Sequence, residues 1–395
     1  MSVRPIYLDC QATTPMDERV LAVMLPYFTE HFGNPSSISH IYGWEAEAAV
    51  KQARTSLADA IHATPEEIIF TSGATEANNL AIKGVAEAYF SKGCHIITVQ
   101  TEHSAVLDPC RYLKTLGFEV TFLPVQRDGL LDLTQLEKAL RPDTILVSVM
   151  AANNEIGVLQ PLADIGALCH QHQVLFHTDA AQAIGKIPLD VQEMNIDLMS
   201  LTAHKIYGPK GIGALYVRRR NPRVKIAPQI QGGGQERGIR SGTLYTPQIV
   251  GFAKAVELAL EERDSESQRL LELRERLWQA IAPLGGIHLN GHSTKRLSGN
   301  LNISVEGVDG SALLLGLQPV AAVSSGAACS SATIAPSHVL LALGHSESLA
   351  YASIRFGIGR FNTAAQIDRV AEHALSTIRS LRQSQTSCSQ TSQIQ

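Results

Sequence analysis

Three residues far apart in the chain carry side chains whose chemistry stands out: Lys205, Asp179 and Cys329. Lys205 closes the run Ser200-Leu201-Thr202-Ala203-His204-Lys205, where an apolar strand pattern ends in small, hydroxyl and imidazole residues. Asp179 lies in His177-Thr178-Asp179-Ala180-Ala181-Gln182, at the end of a second apolar run. A lysine amine forms a Schiff base with an aldehyde, and a carboxylate keeps a pyridine nitrogen protonated so that the ring accepts electrons. An acid at one strand end and a lysine at the next are therefore what pyridoxal phosphate requires. Cys329 sits in Ser324-Ser325-Gly326-Ala327-Ala328-Cys329-Ser330-Ser331, with no large residue to anchor the thiol. Together the three point to an enzyme that moves sulfur.

Each residue also has a plainer reading. Lys205 alone is a surface lysine, but Tyr207-Gly208-Pro209-Lys210-Gly211 forces a tight turn after it. Such a turn fixes the backbone, and partial desolvation makes the amine nucleophilic. Asp179 is a helix N-cap or the pyridinium partner; Gln182, one turn on, is placed to reach a ring hydroxyl. Gly73-Ala74-Thr75 is an ordinary strand-to-helix turn or a phosphate cradle built from free N–H groups. Thr202 and His204 are candidates for further phosphate contacts. Gln231-Gly232-Gly233-Gly234 and Arg240-Ser241-Gly242-Thr243 lie too far from a strand start to form a dinucleotide fingerprint.

His103 is a core or capping histidine, or an imidazole stacked on the cofactor that handles protons. Adjacent Asn153 and Asn154 usually mean a turn. Arg355 is a plain strand arginine or the bidentate clamp that an amino-acid carboxylate needs. Most lone cysteines are inert; the small, anchorless surroundings of Cys329 favour a reactive thiol. Cys10, Cys94, Cys110 and Cys169 fall in or next to regular elements and read as structural. Arg218, Arg219, Arg220, Arg223 and Lys225 form the one basic cluster, a solvated strand end or a dock for an acidic protein.

The elements that must position these residues alternate. Ile68-Ile69-Phe70, His95 to Val99, Thr144 to Val149, Val174 to His177, Asp197 to Leu201 and Gly213 to Val217 read as strands. Helical patterns run to about Tyr89, then over Ser104–Leu116, Leu133–Leu140 and Pro161–Gln171. Such alternation predicts an α/β fold with a mostly parallel sheet, whose ligands bind beyond the carboxyl ends of the strands. A long charged helix from about Pro247 to Ala282 marks a change of domain. Strands at Asn300–Val305 and Ser353–Ile358 then suggest a smaller α+β unit. The expected division is a large domain over residues 16–258 and a small domain from 1–15 and 259–382. A polar Ser/Thr/Gln tail over 383–395 reads as disordered.

Composition bounds the function. The 395 residues are 45% apolar and carry a formal charge of -4, which predicts neither nucleic-acid nor anionic-membrane binding. No apolar stretch is long enough to span a bilayer. Six scattered cysteines without CxxC spacing argue against a metal site and for a reducing, cytoplasmic setting.

The ordered motifs resemble the pyridoxal-phosphate-dependent cysteine desulfurases of the IscS/NifS type, within the class V aminotransferases. The segments carrying the resemblance include Ala12-Thr13-Thr14-Pro15, Phe32-Gly33-Asn34-Pro35-Ser36-Ser37, Thr71-Ser72-Gly73-Ala74-Thr75-Glu76, Thr101-Glu102-His103, Asn153-Asn154-Glu155-Ile156-Gly157, His204 to Gly211, Arg240 to Thr243, Ser325 to Cys329 and Ser353 to Phe356. The resemblance implies the fold-type I aminotransferase architecture and a homodimer. It assigns Lys205 to the cofactor aldehyde, Asp179 and Gln182 to the ring, and Gly73, Ala74, Thr75, Thr202 and His204 to the phosphate. Thr243 joins the phosphate site of the partner subunit. His103 stacks on the ring, Asn154 and Arg355 hold the substrate, and Cys329 accepts sulfur from L-cysteine as a persulfide, leaving L-alanine. Sulfur-acceptor or iron–sulfur scaffold proteins are the implied recipients. The group resembling SufS carries Arg-x-Gly-His-His-Cys at this point, whereas Ser-Gly-Ala-Ala-Cys looks like the IscS group. Cys10 stands where an aromatic residue or asparagine is usual. The rival readings are a lyase that releases sulfide directly from cysteine or cystine, a selenocysteine lyase, and a non-catalytic hub for sulfur carriers.

Overall fold

The computed structural model describes residues 4–325 and 336–391, so Cys329 lies outside the described residues. A seven-stranded sheet forms the centre. Its strands are β1 (Ile68–Thr71), β2 (His95–Val99), β3 (Glu119–Leu123), β4 (Thr144–Ser148), β5 (Leu175–Asp179), β6 (Leu198–Thr202) and β7 (Gly213–Val217). They lie in the order β1-β7-β6-β5-β4-β2-β3. Pairing from β3 through β6 is parallel, and β7 runs antiparallel to both neighbours.

The sheet is apolar on both sides because helices cover both. Ile68 and Phe70 point into one core and Ile69 into the other; Ile97 and Val99 are likewise opposed to Ile96. This is the two-residue alternation of a pleated strand, with neither face left for water. Helices α1 (Ile41–Asp59), α4 (Leu162–Gln171) and the first half of α5 (Thr246–Ile281) pack on one side. Helices α2 (Ala74–Tyr89) and α3 (Ser104–Thr115) pack on the other.

Helix α5 has 36 residues and spans about 54 Å at 1.5 Å per residue. Ile249, Phe252 and Val256 join the sheet core, whereas Leu273, Leu277 and Ile281 join a second core. The expected division near residue 258 thus falls inside one continuous helix. The second core sits on an antiparallel sheet of β8 (Ile287–Leu289), β9 (Asn300–Val305) and β10 (Ser353–Gly357), with β9 in the middle. Residues Ile6 and Tyr7 pair in parallel with Ala321 and Ala322, which brings the first residues to this second unit.

The last helix, α6, runs Ala364–Thr391. The segment 383–391, which composition alone marks as disordered, therefore continues a helix. Ile367, Val370, Ala374 and Ile378 anchor that helix in the second core. Once a helix is nucleated, each further residue adds a hydrogen bond at little cost, so a polar extension follows.

Candidate active site

Strands β5 and β6 lie side by side, with Asp179 opposite Ser200. Beyond β6 the chain makes a 3-10 turn over Ala203–Lys205. Thr14 pins this turn: its hydroxyl donates to the His204 carbonyl at 3.1 Å and accepts the Tyr207 N–H at 2.8 Å. Tyr207 holds φ at 64°, a rare conformation for a bulky residue. The Arg360 guanidinium over its ring, 4.3 Å from the centroid, helps to keep it there. The Lys205 amine reaches a cavity of about 610 Å³ and donates to the carbonyls of Gln11 (2.5 Å) and Ala12 (2.6 Å). That volume suits a cofactor-sized ligand.

Asp179, only 6% exposed, faces the same cavity. Its Oδ2 accepts from Asn78 Nδ2 at 2.6 Å and its Oδ1 from the Ala181 N–H at 2.9 Å. Among the described residues no helix follows Asp179 before the next strand, so it caps a turn and not a helix, while its carboxylate faces the cavity. Gln182 is buried beside it and donates through Nε2 to the Gln11 carbonyl at 2.8 Å.

Across the cavity, α2 starts at Gly73 with no side-chain cap. Gly73 has φ at 152°, which favours glycine, and a Cβ there would project toward the Thr202 hydroxyl, 3.9 Å away. The opening N–H groups of α2 and the Thr75, Thr202 and His204 side chains surround a space suited to an anion. Glu76, in the first turn, accepts from the Ser72 N–H (2.8 Å) and from Arg240 Nε (2.7 Å). Burial opposes its ionisation, but these bonds outweigh burial and hold its carboxyl below the usual range. Arg240 so offsets the negative charge nearest the cradle.

His103 caps α3: its Nδ1 accepts the Ala105 N–H at 3.0 Å, so a neutral ring carries its proton on Nε2. Burial lowers its pKa; Asp179 opposes that shift and Lys205 adds to it. His204 Nδ1 contacts the Thr13 hydroxyl at 3.1 Å. Burial, then the charges of Lys205, Lys210 and Lys186, bring His204 down to about 4. Both rings are therefore neutral at pH 7 and act through hydrogen bonds.

Arg355, on β10, is almost fully buried. Its Nη2 pairs with Asp9 at 2.6 Å and its Nη1 donates to the Asn154 carbonyl at 2.9 Å. Asn153 builds the turn, accepting the N–H groups of Glu155 and Ile156 on Oδ1. Asn154 is the member of the pair that lines the cavity.

One cavity thus gathers Lys205, Asp179, Gln182, Gly73, Ala74, Thr75, Thr202, His204, His103, Asn154 and Arg355. Thr243 is exposed and forms no part of its wall. His177 is packed rather than free: its ring bridges the Ser148 (2.8 Å) and Ser200 (3.0 Å) hydroxyls, and burial lowers it to about 3. Burial pushes the thiols of Cys10 and Cys110 up to about 12 and that of Cys169 higher still, which suits inert roles. Among the described residues no cluster of His, Cys, Asp and Glu is built to hold a metal.

One expectation is corrected. Arg218 does not belong to an accessible basic patch. It is buried, pairs with Asp197 at 3.2 Å and donates to the carbonyls of Val191 and Ile196. It follows directly on β7, and its guanidinium is drawn onto the segment 191–197 by these bonds. Arg220, Arg223 and Lys225 are exposed and Arg219 half-buried.

Sequence reasoning missed the residues that hold the site together. Asn78 had a legible signal, a lone amide on the apolar face of α2 among Ala77, Leu80, Ala81 and Val85. Thr13, Thr14 and Gln11 act from a distant segment, and no local pattern reveals that.

The model of the family described as "Aminotransferase class-V" matches residues 6–370. The chain belongs to that family. It is 56% identical over 384 residues to a protein of Arabidopsis thaliana named "Cysteine desulfurase, mitochondrial", covering 97% of this chain and 84% of the relative. A human protein named "Cysteine desulfurase" is 55% identical over 382 residues, covering 96% and 83%. Among solved structures, a "NifS-like protein" superposes with a TM-score of 0.88 at 38% identity, over 95% of this chain and all of the other. A structure described as "SspA in complex with cysteine" gives a TM-score of 0.81 at 41% identity, over 91% of this chain and 100% of that one. Class V aminotransferases are pyridoxal-phosphate enzymes of fold type I. The cavity fits that group, with an uncapped helix start and hydroxyls for its phosphate, an amine for its aldehyde and a buried carboxylate for its pyridinium.

Proposed function

We propose that the chain is a cysteine desulfurase that converts L-cysteine to L-alanine and carries the sulfur on Cys329 as a persulfide. The observation that carries this reading is the meeting of Lys205 and Asp179, from adjacent strand ends, in a cavity closed by an uncapped helix start. The names of the relatives and the cysteine-bound neighbour support the same substrate.

Pyridoxal phosphate, when bound, supplies an electron sink for the bonds around the substrate Cα. Lys205 would hold the group through its aldehyde, and its amine is placed to take the substrate Cα proton. The Gln11 and Ala12 carbonyls are there to receive the resulting ammonium. Asp179 would keep a proton on the ring nitrogen, and the Asn78 bond holds its carboxylate in place. Gln182 would donate to the ring oxygen. The α2 N–H groups, Thr75, Thr202 and neutral His204 would hold the phosphate. His103, with its proton on Nε2, is placed to donate it to a leaving or developing anion. Asn154 and Arg355 orient the substrate carboxylate.

The Cys329 thiolate attacks the substrate sulfur. An S–S bond forms and the Cβ–S bond breaks, and its electron pair stays with carbon, which is protonated to the alanine methyl. Cysteine and thiol become alanine and persulfide, with no outside oxidant or reductant. A thiolate is needed at neutral pH, so this step favours a lowered thiol pKa.

A homodimer completes the reading. Phe28, Phe32, Ile38, Tyr42, Trp44 and Tyr245 are exposed apolar side chains, with Phe28 against Tyr245 and Phe32 stacked on Tyr42, and such exposure favours a covering partner. Thr243, exposed beside Tyr245, would serve the partner's phosphate. Arg220, Arg223 and Lys225 offer acidic sulfur acceptors or scaffold proteins a contact surface. A reducing compartment such as the cytoplasm suits the free thiols of Cys10, Cys94, Cys110 and Cys169.

The test is Cys329→Ala. The variant is expected to keep the visible absorbance of the bound cofactor and to lose alanine formation from cysteine. Normal alanine release with free sulfide would replace this reading with a direct lyase.

A further inference from the structure

A second cavity, of about 320 Å³, lies against the first, and Gln11 and Lys205 line both. Lys186 lines the second cavity. Its amine donates to Gln182 Oε1 at 3.1 Å, while Gln182 Nε2 donates to the Gln11 carbonyl at 2.8 Å. These two contacts settle the sense of the amide. An ammonium can only donate and a backbone carbonyl can only accept, so the oxygen must face Lys186 and the nitrogen the carbonyl. The second Nε2 hydrogen is the donor left over, and Gln182 lines the first cavity. The same Gln11 carbonyl also receives the Lys205 amine at 2.5 Å. Lys186, Gln182, Gln11 and Lys205 are thus one connected chain of hydrogen bonds.

Charge runs through the same chain. Burial, and next the charge of Lys205, lower the Lys186 amine to about 8, while Cys10 and Glu266 act in the opposite sense. Glu266, on α5, is already paired with Arg360 at 2.8 Å and contacts the Tyr207 hydroxyl. The other charged groups on this cavity wall are Arg263, Asp264 and Arg296. On the far side of Lys205 stand His103, His204 and Asp179.

We propose that Lys186 is a positioning residue: it fixes the Gln182 amide as a donor toward the cofactor and places a second cation behind Lys205, so that the bound cofactor gives up its proton more readily. A donor from Gln182 favours an ionised ring oxygen. A neighbouring cation disfavours a proton on the nitrogen that joins Lys205 to the cofactor. Both effects act in the same direction. The inference rests on Lys205 holding the cofactor, as proposed above.

The experiment is a pH titration of the visible absorbance of the holoenzyme, as wild type, Lys186→Met and Lys186→Arg. Loss of the cation and of the amide lock in Lys186→Met is expected to raise the midpoint by about one pH unit, a tenfold change in proton affinity. Lys186→Arg keeps a charge at every pH and is expected to titrate at or below the wild-type midpoint. Should Lys186→Met fail to hold the cofactor, Lys186→Gln takes its place. It still donates to Gln182 but carries no charge, and its midpoint is also expected to rise. A cofactor-loaded neutral variant titrating at the wild-type midpoint overturns the proposal. The underlying reading fails separately, if Lys205→Ala keeps the wild-type visible band.

Discussion

Asn78 donates to Asp179 at 2.6 Å across 101 positions of sequence, from helix α2 to the end of strand β5. It joins the helix that opens the phosphate cradle to the acid proposed for the cofactor ring. A hydrogen bond to a buried charged group is worth about 1.5–3 kcal/mol. Asn78→Ala is therefore expected to weaken pyridoxal phosphate binding about tenfold or more, read by absorbance titration of the apoenzyme. Asp179→Asn retains the shape but not the charge, and is expected to lower kcat by about 10²–10³-fold, the scale of a lost electrostatic stabiliser.

His177 makes stability depend on acid. It lies neutral between Ser148 and Ser200, with its pKa lowered from 6.5 to about 3 by burial. Below 6.5 the unfolded chain binds a proton that the folded chain refuses. Stability is thus full above the unfolded value and falls as pH drops from 6.5 toward 3. His177→Gln is expected to be less stable at pH 7 but to lose less on acidification. Urea denaturation at pH 7 and pH 4.5 checks this; parallel losses in both proteins would contradict it.

Arg355 has a structural partner as well as a proposed substrate. Its bond to Asp9 is part-buried, with Asp9 19% exposed, so removing one partner costs less than the ~3–5 kcal/mol of a fully buried pair. Arg355→Gln is expected to lower the melting temperature and raise KM for cysteine. Adding Asp9→Asn removes the stranded carboxylate. The double variant is expected to regain stability but not KM.

The basic residues after β7 separate into two kinds. Arg218→Ala breaks a buried pair with Asp197 and is expected to destabilise the fold. Arg220→Glu, Arg223→Glu and Lys225→Glu, all exposed, are expected to leave stability within about 0.5 kcal/mol and to slow association with an acidic sulfur acceptor, most at low salt. Thermal melts and salt-dependent association rates distinguish the two.

The alternation of strands and helices was legible because every strand of the sheet except the edge strand β3 is buried on both faces and reads as a short apolar run between turn signals. Lys205, Asp179 and Gly73 were legible because each ends or follows such a run. Arg218 misled because five basic residues cluster within eight positions of sequence, whereas only Arg218 finds buried partners in the distant segment 191–197. The helix over 383–391 misled because composition records no propagation from the anchored start of α6. Lys186 was overlooked although Gln182 lies only four residues before it, because the charges around it come from the segment before α1, from α5 and from the turn after β6, and only folding brings those together.

The central claim is that sulfur leaves cysteine by joining Cys329. Intact mass of the holoenzyme after brief exposure to cysteine tests it directly. The account predicts a gain of one sulfur atom, localised to the peptide containing Cys329, removed by a reductant and absent in Cys329→Ala. Alanine formed with no gain in mass, or the same gain in Cys329→Ala, would contradict it.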